Sequence, residues 1–162
     1  MLRILDITAP DINNGNGIRV TLWISGCTHK CKGCHNSWTW DYNQGKDFIE
    51  EHDDILNKLS NWLSRDYVEG LTISGGDPLD QDNKGLETLI KIILWVRTNY
   101  PTKNIWLYTG YVYEELNELQ RKAADLCEVV VDGPYKEELR DIAHCPFRGS
   151  SNQRILYMTK GA

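Results

Sequence analysis

The chain has 162 residues, with 18 Lys and Arg against 23 Asp and Glu, which gives a formal net charge of -5 at pH 7. This acidic balance, without a cluster of basic residues, argues against direct binding of DNA or RNA. The longest apolar run, 92–96, is too short to cross a bilayer, and the N-terminus lacks the apolar stretch of a signal peptide. We therefore expect a cytoplasmic protein without membrane contact, folded as a single domain over residues 1–162.

Strand-like and helix-like segments alternate along the chain. Strands are expected where β-branched and aromatic residues concentrate, at 2–7, 19–25, 70–74, 104–108, 128–131 and 153–158. Helices are expected where apolar residues recur at steps of three and four, over 55–63, 86–93 and 116–126. The sequence does not indicate how the first and last of these strands pair.

This alternation predicts βαβ units with right-handed crossovers, and hence a parallel sheet. A complete eight-stranded barrel needs about 200 residues or more, so this chain can form only part of one. We therefore predict an α/β fold of the partial, open (β/α) TIM-like barrel type, with mostly parallel strands and helices outside. In such a fold the loops that follow the strands lie on one side, where ligands bind.

The most informative segment follows the strand expected at 19–25. It carries three cysteines in the spacing Cys-x3-Cys-x2-Cys, namely Cys27, Cys31 and Cys34. Thiolates are the usual ligands of iron–sulfur clusters, and three ligands on a four-iron cubane leave one iron free for chemistry. The alternative is a structural zinc site completed by His29 or His35. Structural zinc modules usually draw their ligands from two separated pairs, which is not the pattern here.

The cysteine spacing resembles the signature of the radical S-adenosylmethionine (SAM) enzymes. After the second expected strand, Gly75-Gly76-Asp77-Pro78 resembles their Gly-Gly-Glu-Pro element, with Asp where Glu is commoner. Within that superfamily the chain resembles the activating proteins of anaerobic (class III) ribonucleotide reductases. Glycine at position 33, where most radical SAM loops have an aromatic residue, suits this family. The matching motifs span nearly the whole chain, at 14–17, 34–36 with Trp40, 74–79, Trp106 with 108–111, 131–133 and 148–153.

The resemblance implies a radical SAM oxidoreductase that cleaves SAM reductively at a 4Fe-4S cluster. Its product would be a glycyl radical on the anaerobic ribonucleoside-triphosphate reductase, with a low-potential donor such as a flavodoxin supplying the electron. The cluster ligands would be Cys27, Cys31 and Cys34, and no further side chain is implied in catalysis. SAM would contact two short segments, namely Gly33, Cys34 and His35 at its adenosine part and Gly75, Gly76 and Asp77 at its methionine end.

Two weaker functional assignments also follow from the resemblance. Thr109 and Asp132 match positions that hold a monovalent cation near SAM in a related activase; the alternative is that they cap strand ends. The segment that contains Arg148, Gly149, Ser150 and Asn152 is polar, and its functional interpretation is docking of the glycyl-radical loop of the reductase. The alternative is a solvated loop.

Other functions stay open at this point. The nearest is activation of another glycyl-radical enzyme, of the formate-lyase or decarboxylase type, although chain length and the segment 148–153 argue against it. A radical SAM enzyme acting on a small molecule would need a substrate domain that is not visible. A non-catalytic zinc or iron–sulfur module would bind metal without cleaving SAM. The remaining thiols, Cys127 and Cys145, lack metal-ligand spacing and are expected to be isolated and buried.

Overall fold

A computed structural model describes residues 1–49, 54–141 and 143–159. In these ranges the strands are β1 (Arg3–Asp11), β2 (Ile18–Ile24), β3 (Lys46–Asp47), β4 (Val68–Gly75), β5 (Asn104–Tyr108), β6 (Val129–Asp132) and β7 (Arg154–Tyr157). The α-helices are α1 (Asp54–Leu63), α2 (Asn83–Asn99) and α3 (Glu118–Asp125). All expected strands and helices are therefore present, with ends shifted by a few residues, and β3 is the one strand that the sequence did not indicate.

The strands form one seven-stranded sheet in the order β3-β1-β2-β4-β5-β6-β7. Its centre is parallel, because β2, β4, β5 and β6 pair in the same direction. Both sides of this centre are antiparallel: β1 pairs with β2 and β3, and β7 pairs with β6. The carboxyl ends of the four central strands consequently meet at one edge of the sheet.

The predicted partial TIM-like barrel with mostly parallel strands is wrong. The sheet is open and mixed, it is accompanied by three helices, and three of its six neighbouring pairs are antiparallel. The prediction rested on the helices expected between the central strands and left the pairing of the first and last strands open. Only six residues, 12–17, join β1 to β2, and a connection without a crossover returns the chain antiparallel. The same holds between β6 and β7, where the described residues contain only a short 3-10 helix, Glu137–Leu139.

The three helices pack on one face of the sheet. Alternate strand residues such as Ile105 and Leu107 point into a large core that also contains Leu59 of α1, Leu89 of α2 and Ala123 of α3. These apolar positions are the ones that the helical periodicity indicated. Within the described ranges, no helix combines the length and the apolar character that a membrane span requires.

The opposite face carries a fully buried cation. Arg19 donates hydrogen bonds to Thr72 Oγ1 (2.7 Å), Leu71 O (2.8 Å) and Asn104 O (3.3 Å). Its guanidinium also lies 5.5 Å from the ring centroid of Trp106. Burial lowers the pKa of Arg19 to about 10, so the side chain stays charged at neutral pH. Arg19 thereby ties β2 to the neighbouring strands β4 and β5.

We predict that Arg19→Met lowers the free energy of unfolding by about 3 kcal/mol, because buried acceptors in β4 and β5 lose their donor. Urea unfolding of the anaerobically prepared protein, followed by circular dichroism, measures the difference. Arg140→Met, at an exposed position, is the matched control and should change stability by less than about 0.5 kcal/mol. Equal stability of the two variants would contradict the role assigned to Arg19.

Candidate active site

A cavity of about 550 Å³ lies at the carboxyl ends of the central strands, within the range of about 300–1,000 Å³ that is usual for small-molecule sites. Loops after all four parallel strands contribute to its wall, as do residues 145–149. The cavity brings together most of the residues predicted from the sequence, namely Cys27, Cys31, Cys34, His35, Gly75, Gly76, Asp77, Thr109, Arg148 and Gly149. The predicted residues Gly33, Asp132, Ser150 and Asn152 are not part of its lining.

The cysteine loop offers three free thiols to this cavity. Cys27 is buried and Cys31 and Cys34 are half-buried, and none of them forms a disulfide. The backbone N–H of Asn36 donates to Cys34 Sγ (3.4 Å), a type of contact that tunes the potential of a cluster. Burial raises the pKa of the Cys27 thiol to about 12. Since a ligand thiol must be deprotonated, metal binding has to drive the loss of that proton.

The donor set fits a cluster better than a single zinc ion. Zinc holds each thiolate at about 2.3 Å, so its sulfur ligands lie within about 4.6 Å of one another. Among the described residues, the one group of three potential ligand atoms within 4.8 Å is formed by Cys27, His29 and Asp80, so the three cysteine sulfurs are not drawn that close together. His29 and Asp80 are moreover occupied by hydrogen bonds to other protein groups.

Asp77 joins three loops at the base of the cavity. Its side chain is 1% exposed, and its Oδ2 accepts hydrogen bonds from His29 Nε2 (2.7 Å), Thr109 Oγ1 (3.0 Å) and the Gly110 N–H (2.8 Å). Its Oδ1 accepts the N–H of Leu79 (2.9 Å). The hydrogen bond to Asp77 raises the pKa of His29. The carboxylate thus fixes the cysteine loop against the loop after β5.

A second carboxylate, which the sequence gave no signal to find, anchors the outer side of the cysteine loop. Asp80 Oδ2 accepts both the N–H and the hydroxyl of Thr28, each at 2.6 Å. Its Oδ1 accepts the hydroxyl of Tyr111 (2.9 Å), and its carbonyl oxygen accepts the hydroxyl of Tyr42 (2.7 Å). Burial alone would raise the pKa of Asp80, but the hydrogen bonds from Thr28 and Tyr111 lower it below its ordinary value.

The glycine pair after β4 permits a close approach between two stretches of backbone. A Cβ on Gly75 would lie 2.2 Å from Ile24 O, and one on Gly76 would lie 2.3 Å from Gly26 O. Two main-chain hydrogen bonds, from Gly76 N to Ile24 O (2.9 Å) and from Asp77 N to Gly26 O (2.8 Å), use this proximity. The pair therefore seats the β4 loop directly on the start of the cysteine loop. Helix α2 begins further on, at Asn83.

The polar segment near the C-terminus is largely occupied by internal hydrogen bonds. Gln153 Oε1 accepts the N–H groups of Gly149 (2.8 Å) and Ser150 (3.1 Å). Asn152 accepts the Ser150 hydroxyl (2.6 Å) and donates to Pro134 O (2.8 Å). Arg148 takes part as well, because its Nη1 donates to Gln153 O (2.9 Å), whereas its buried Nε has no hydrogen-bond partner among the described residues. Docking of a partner on this segment stays a prediction.

The two residues of the predicted cation site have different partners. The buried carboxylate of Asp132 forms an ion pair with Arg154 and accepts the N–H of Tyr113 (2.8 Å). The Thr109 hydroxyl donates to Asp77. The cation site stays a prediction.

Comparison with known proteins identifies the class of this site. A family model described as a 4Fe-4S single cluster domain matches residues 13–156. The matched range contains the cysteine loop and every residue that lines the cavity except Ile12. The class is thus that of single-cluster iron–sulfur proteins.

Several characterised relatives carry one name, anaerobic ribonucleoside-triphosphate reductase-activating protein. The protein of Escherichia coli (strain K12) is 41% identical over 149 residues, 91% of this chain and 94% of that protein. The protein of enterobacteria phage T4 is 38% identical over 151 residues, 93% of this chain and 91% of that protein. That of Haemophilus influenzae is 41% identical over 148 residues, covering 90% and 91%. The chain belongs to the family of anaerobic ribonucleoside-triphosphate reductase-activating proteins, which confirms the resemblance noted in the sequence.

We predict that Asp77→Asn lowers the free energy of unfolding by about 3 kcal/mol and reduces the iron bound per chain after reconstitution. The amide presents one acceptor oxygen instead of two, so buried donors in the cysteine loop and the β5 loop lose their partner. Urea unfolding and iron analysis measure the two effects. Asp6→Asn, at an exposed carboxylate, should match the unsubstituted protein in stability and in bound iron. Full iron loading of Asp77→Asn would contradict the role of Asp77 in holding the cysteine loop.

Proposed function

We propose that this chain is an activating enzyme that cleaves SAM reductively at a 4Fe-4S cluster and generates a glycyl radical on the anaerobic ribonucleoside-triphosphate reductase. One observation carries the proposal: the free thiols of Cys27, Cys31 and Cys34 line the same cavity as Gly75 and Gly76. Membership of the activating-protein family supports the identity of the target. In this proposal a low-potential donor such as a flavodoxin supplies the electron, and the protein is cytoplasmic.

In this proposal the cysteine loop binds the cluster and the adenosine part of SAM, and the β4 loop binds the methionine end. The three thiolates would hold three irons and leave one iron for the amino and carboxylate groups of SAM. When bound, the reduced cluster supplies one electron that splits SAM into methionine and a 5'-deoxyadenosyl radical, which takes a hydrogen atom from the target glycine. The main chain at Gly33, Cys34 and His35 would contact the adenosine part, and that at Gly75, Gly76 and Asp77 the methionine end.

The remaining side chains position these loops and exclude water. Asp77 and Asp80 hold the cysteine loop to the ends of β4 and β5 through hydrogen bonds from His29, Gly110 and Thr28. The apolar rings of Trp40, Tyr108 and Phe147 line the cavity and would limit the access of solvent to a reactive intermediate. No general acid or base is required, because an electron and a hydrogen atom are transferred.

The decisive experiment is anaerobic reconstitution with iron and sulfide, chemical reduction and addition of SAM, followed by chromatography. We expect 5'-deoxyadenosine and methionine in equal amounts, at least about a hundredfold less from Cys31→Ala, and unchanged amounts from Cys127→Ser. Cys127 is a suitable control because its thiol is buried outside the cavity and donates to Ala123 O (3.4 Å), a bond that a hydroxyl can retain. Metal binding without SAM cleavage would favour a non-catalytic module.

Docking of the reductase gives a further prediction. We propose that Arg148, whose side chain lies at the cavity wall, donates from its guanidinium to main-chain carbonyl groups of the incoming glycine loop. Arg148→Met should weaken binding of the reductase about tenfold, the effect of losing a charge-assisted hydrogen bond of about 1.5 kcal/mol. Lys122→Met, exposed on α3, is the control. Affinity measured by surface plasmon resonance under anaerobic conditions tests this, and unchanged affinity of Arg148→Met would contradict it.

A glycyl-radical signal identifies the target. Electron paramagnetic resonance of the reaction with the reductase should show a radical centred on the reductase chain. A signal that forms with a formate-lyase and not with the reductase would point to activation of another glycyl-radical enzyme.

A further inference from the structure

The space beside Gly33 is filled by a different part of the chain. Gly33 has a φ of 75°, and a Cβ at this position would lie 2.8 Å from the carboxylate of Glu137. Glu137 belongs to the segment 133–139 after β6, which we call the strap. The strap therefore lies against the tip of the cysteine loop, where residue 33 itself contributes no side chain.

The strap also supplies an aromatic ring to the cavity wall. The ring of Tyr135 meets that of His35 edge to face, with centroids 5.4 Å apart and planes at 85°. The Tyr135 hydroxyl lies 3.4 Å from His35 Nε2. On another side the ring abuts Gly149, where a Cβ would lie 2.9 Å from Tyr135 Cδ2. Both Tyr135 and His35 line the cavity.

Hydrogen bonds from the C-terminal segment hold the strap in this place. Asn152 donates to Pro134 O (2.8 Å), Gln153 Nε2 donates to Gly133 O (2.9 Å), and Ser150 Oγ accepts the N–H of Lys136 (3.2 Å). The Ser151 N–H donates to Leu139 O (2.9 Å). The ring of Tyr135 is thus fixed from two sides before any ligand arrives.

Two other aromatic rings of the cavity, those of Tyr108 and Phe147, have structural partners elsewhere. The Tyr108 hydroxyl donates to Phe147 O (2.8 Å), and the Phe147 ring packs edge-on against Trp106 at 5.5 Å. The rings of Tyr108 and Phe147 both pack against the apolar cluster on the face of the sheet opposite the helices. Tyr135, by contrast, lines the cavity and contacts the cysteine loop through the ring of His35.

We propose that Tyr135 forms the wall against which the adenine ring of SAM packs, and so replaces the side chain that Gly33 lacks. The inference rests on the proposed function, since it concerns the same cofactor. A flat, fixed aromatic ring suits a heteroaromatic ligand, because such rings attract one another in offset-stacked or edge-to-face arrangements. Tyr135 is in this view a specificity residue for the nucleoside part of the cofactor, provided by the β6 strap rather than by the cysteine loop.

The test is equilibrium binding of SAM and of 5'-deoxyadenosine to the reconstituted protein under anaerobic conditions. Tyr135→Ala and Tyr135→Leu should raise the Kd of both ligands about tenfold, in line with the loss of a base–aromatic contact. Tyr135→Phe keeps the ring and should stay within twofold of the unsubstituted protein. Tyr157→Ala, at an exposed residue of β7, is the matched control, and iron per chain should be equal in all variants.

Each result decides the matter. If Tyr135→Leu binds both ligands as the unsubstituted protein does, the adenine wall is overturned while the proposed function stands. If Tyr135→Phe is as weak as Tyr135→Leu, the hydroxyl contact with His35 matters and the ring does not, which also overturns the proposal. Should Tyr135→Ala lose iron, Tyr135→Leu supplies the comparison because it keeps apolar volume at the site. An unsubstituted protein that binds no SAM would overturn the proposed function as well.

Discussion

The arrangement of the site depends on one buried carboxylate. Asp77 accepts hydrogen bonds from His29 in the cysteine loop and from Thr109 and Gly110 after β5. These loops follow different strands, and helices α1 and α2 lie between them in the sequence. Because the carboxylate is 1% exposed, water does not compete for its oxygen atoms, and each hydrogen bond is correspondingly expensive to break. Asp77 consequently holds the loop that carries the thiols against the loop after β5.

Local patterns predicted the central part of this fold well and its edges poorly. β-Branched runs located β2, β4, β5 and β6, and the alternation with helices gave their parallel pairing, because both signals are contained in short windows. The pairing of β1 and β7 was not predicted, since it is decided by which sheet edge remains free after the centre has formed. The barrel expectation failed at the same places, because a connection such as 12–17 contains no helix.

The site shows a similar division between local and long-range information. Cys27, Cys31 and Cys34 lie within one loop, so their spacing could be recognised directly from the sequence. The hydrogen bond from Asn152 to Pro134 spans 18 residues of sequence, and that between His29 and Asp77 spans 48. The composition of these segments does not indicate which distant residue each of them contacts. Polar residues for which docking of a partner protein was predicted form hydrogen bonds to the strap. The side chain of Asp77 likewise forms its hydrogen bonds within the protein.

An open sheet, unlike a closed barrel, leaves two strands with unpaired backbone groups, and such edges invite strand-by-strand association with other chains. Here one edge is β3, which has two residues, Lys46 and Asp47, both charged and exposed. The other is β7, four residues long, which starts with the charged and exposed Arg154. Short, charged edge strands discourage aggregation. Both edges of the sheet are thus poor templates for strand pairing with further copies of the chain, while the ends of its central strands carry the cavity.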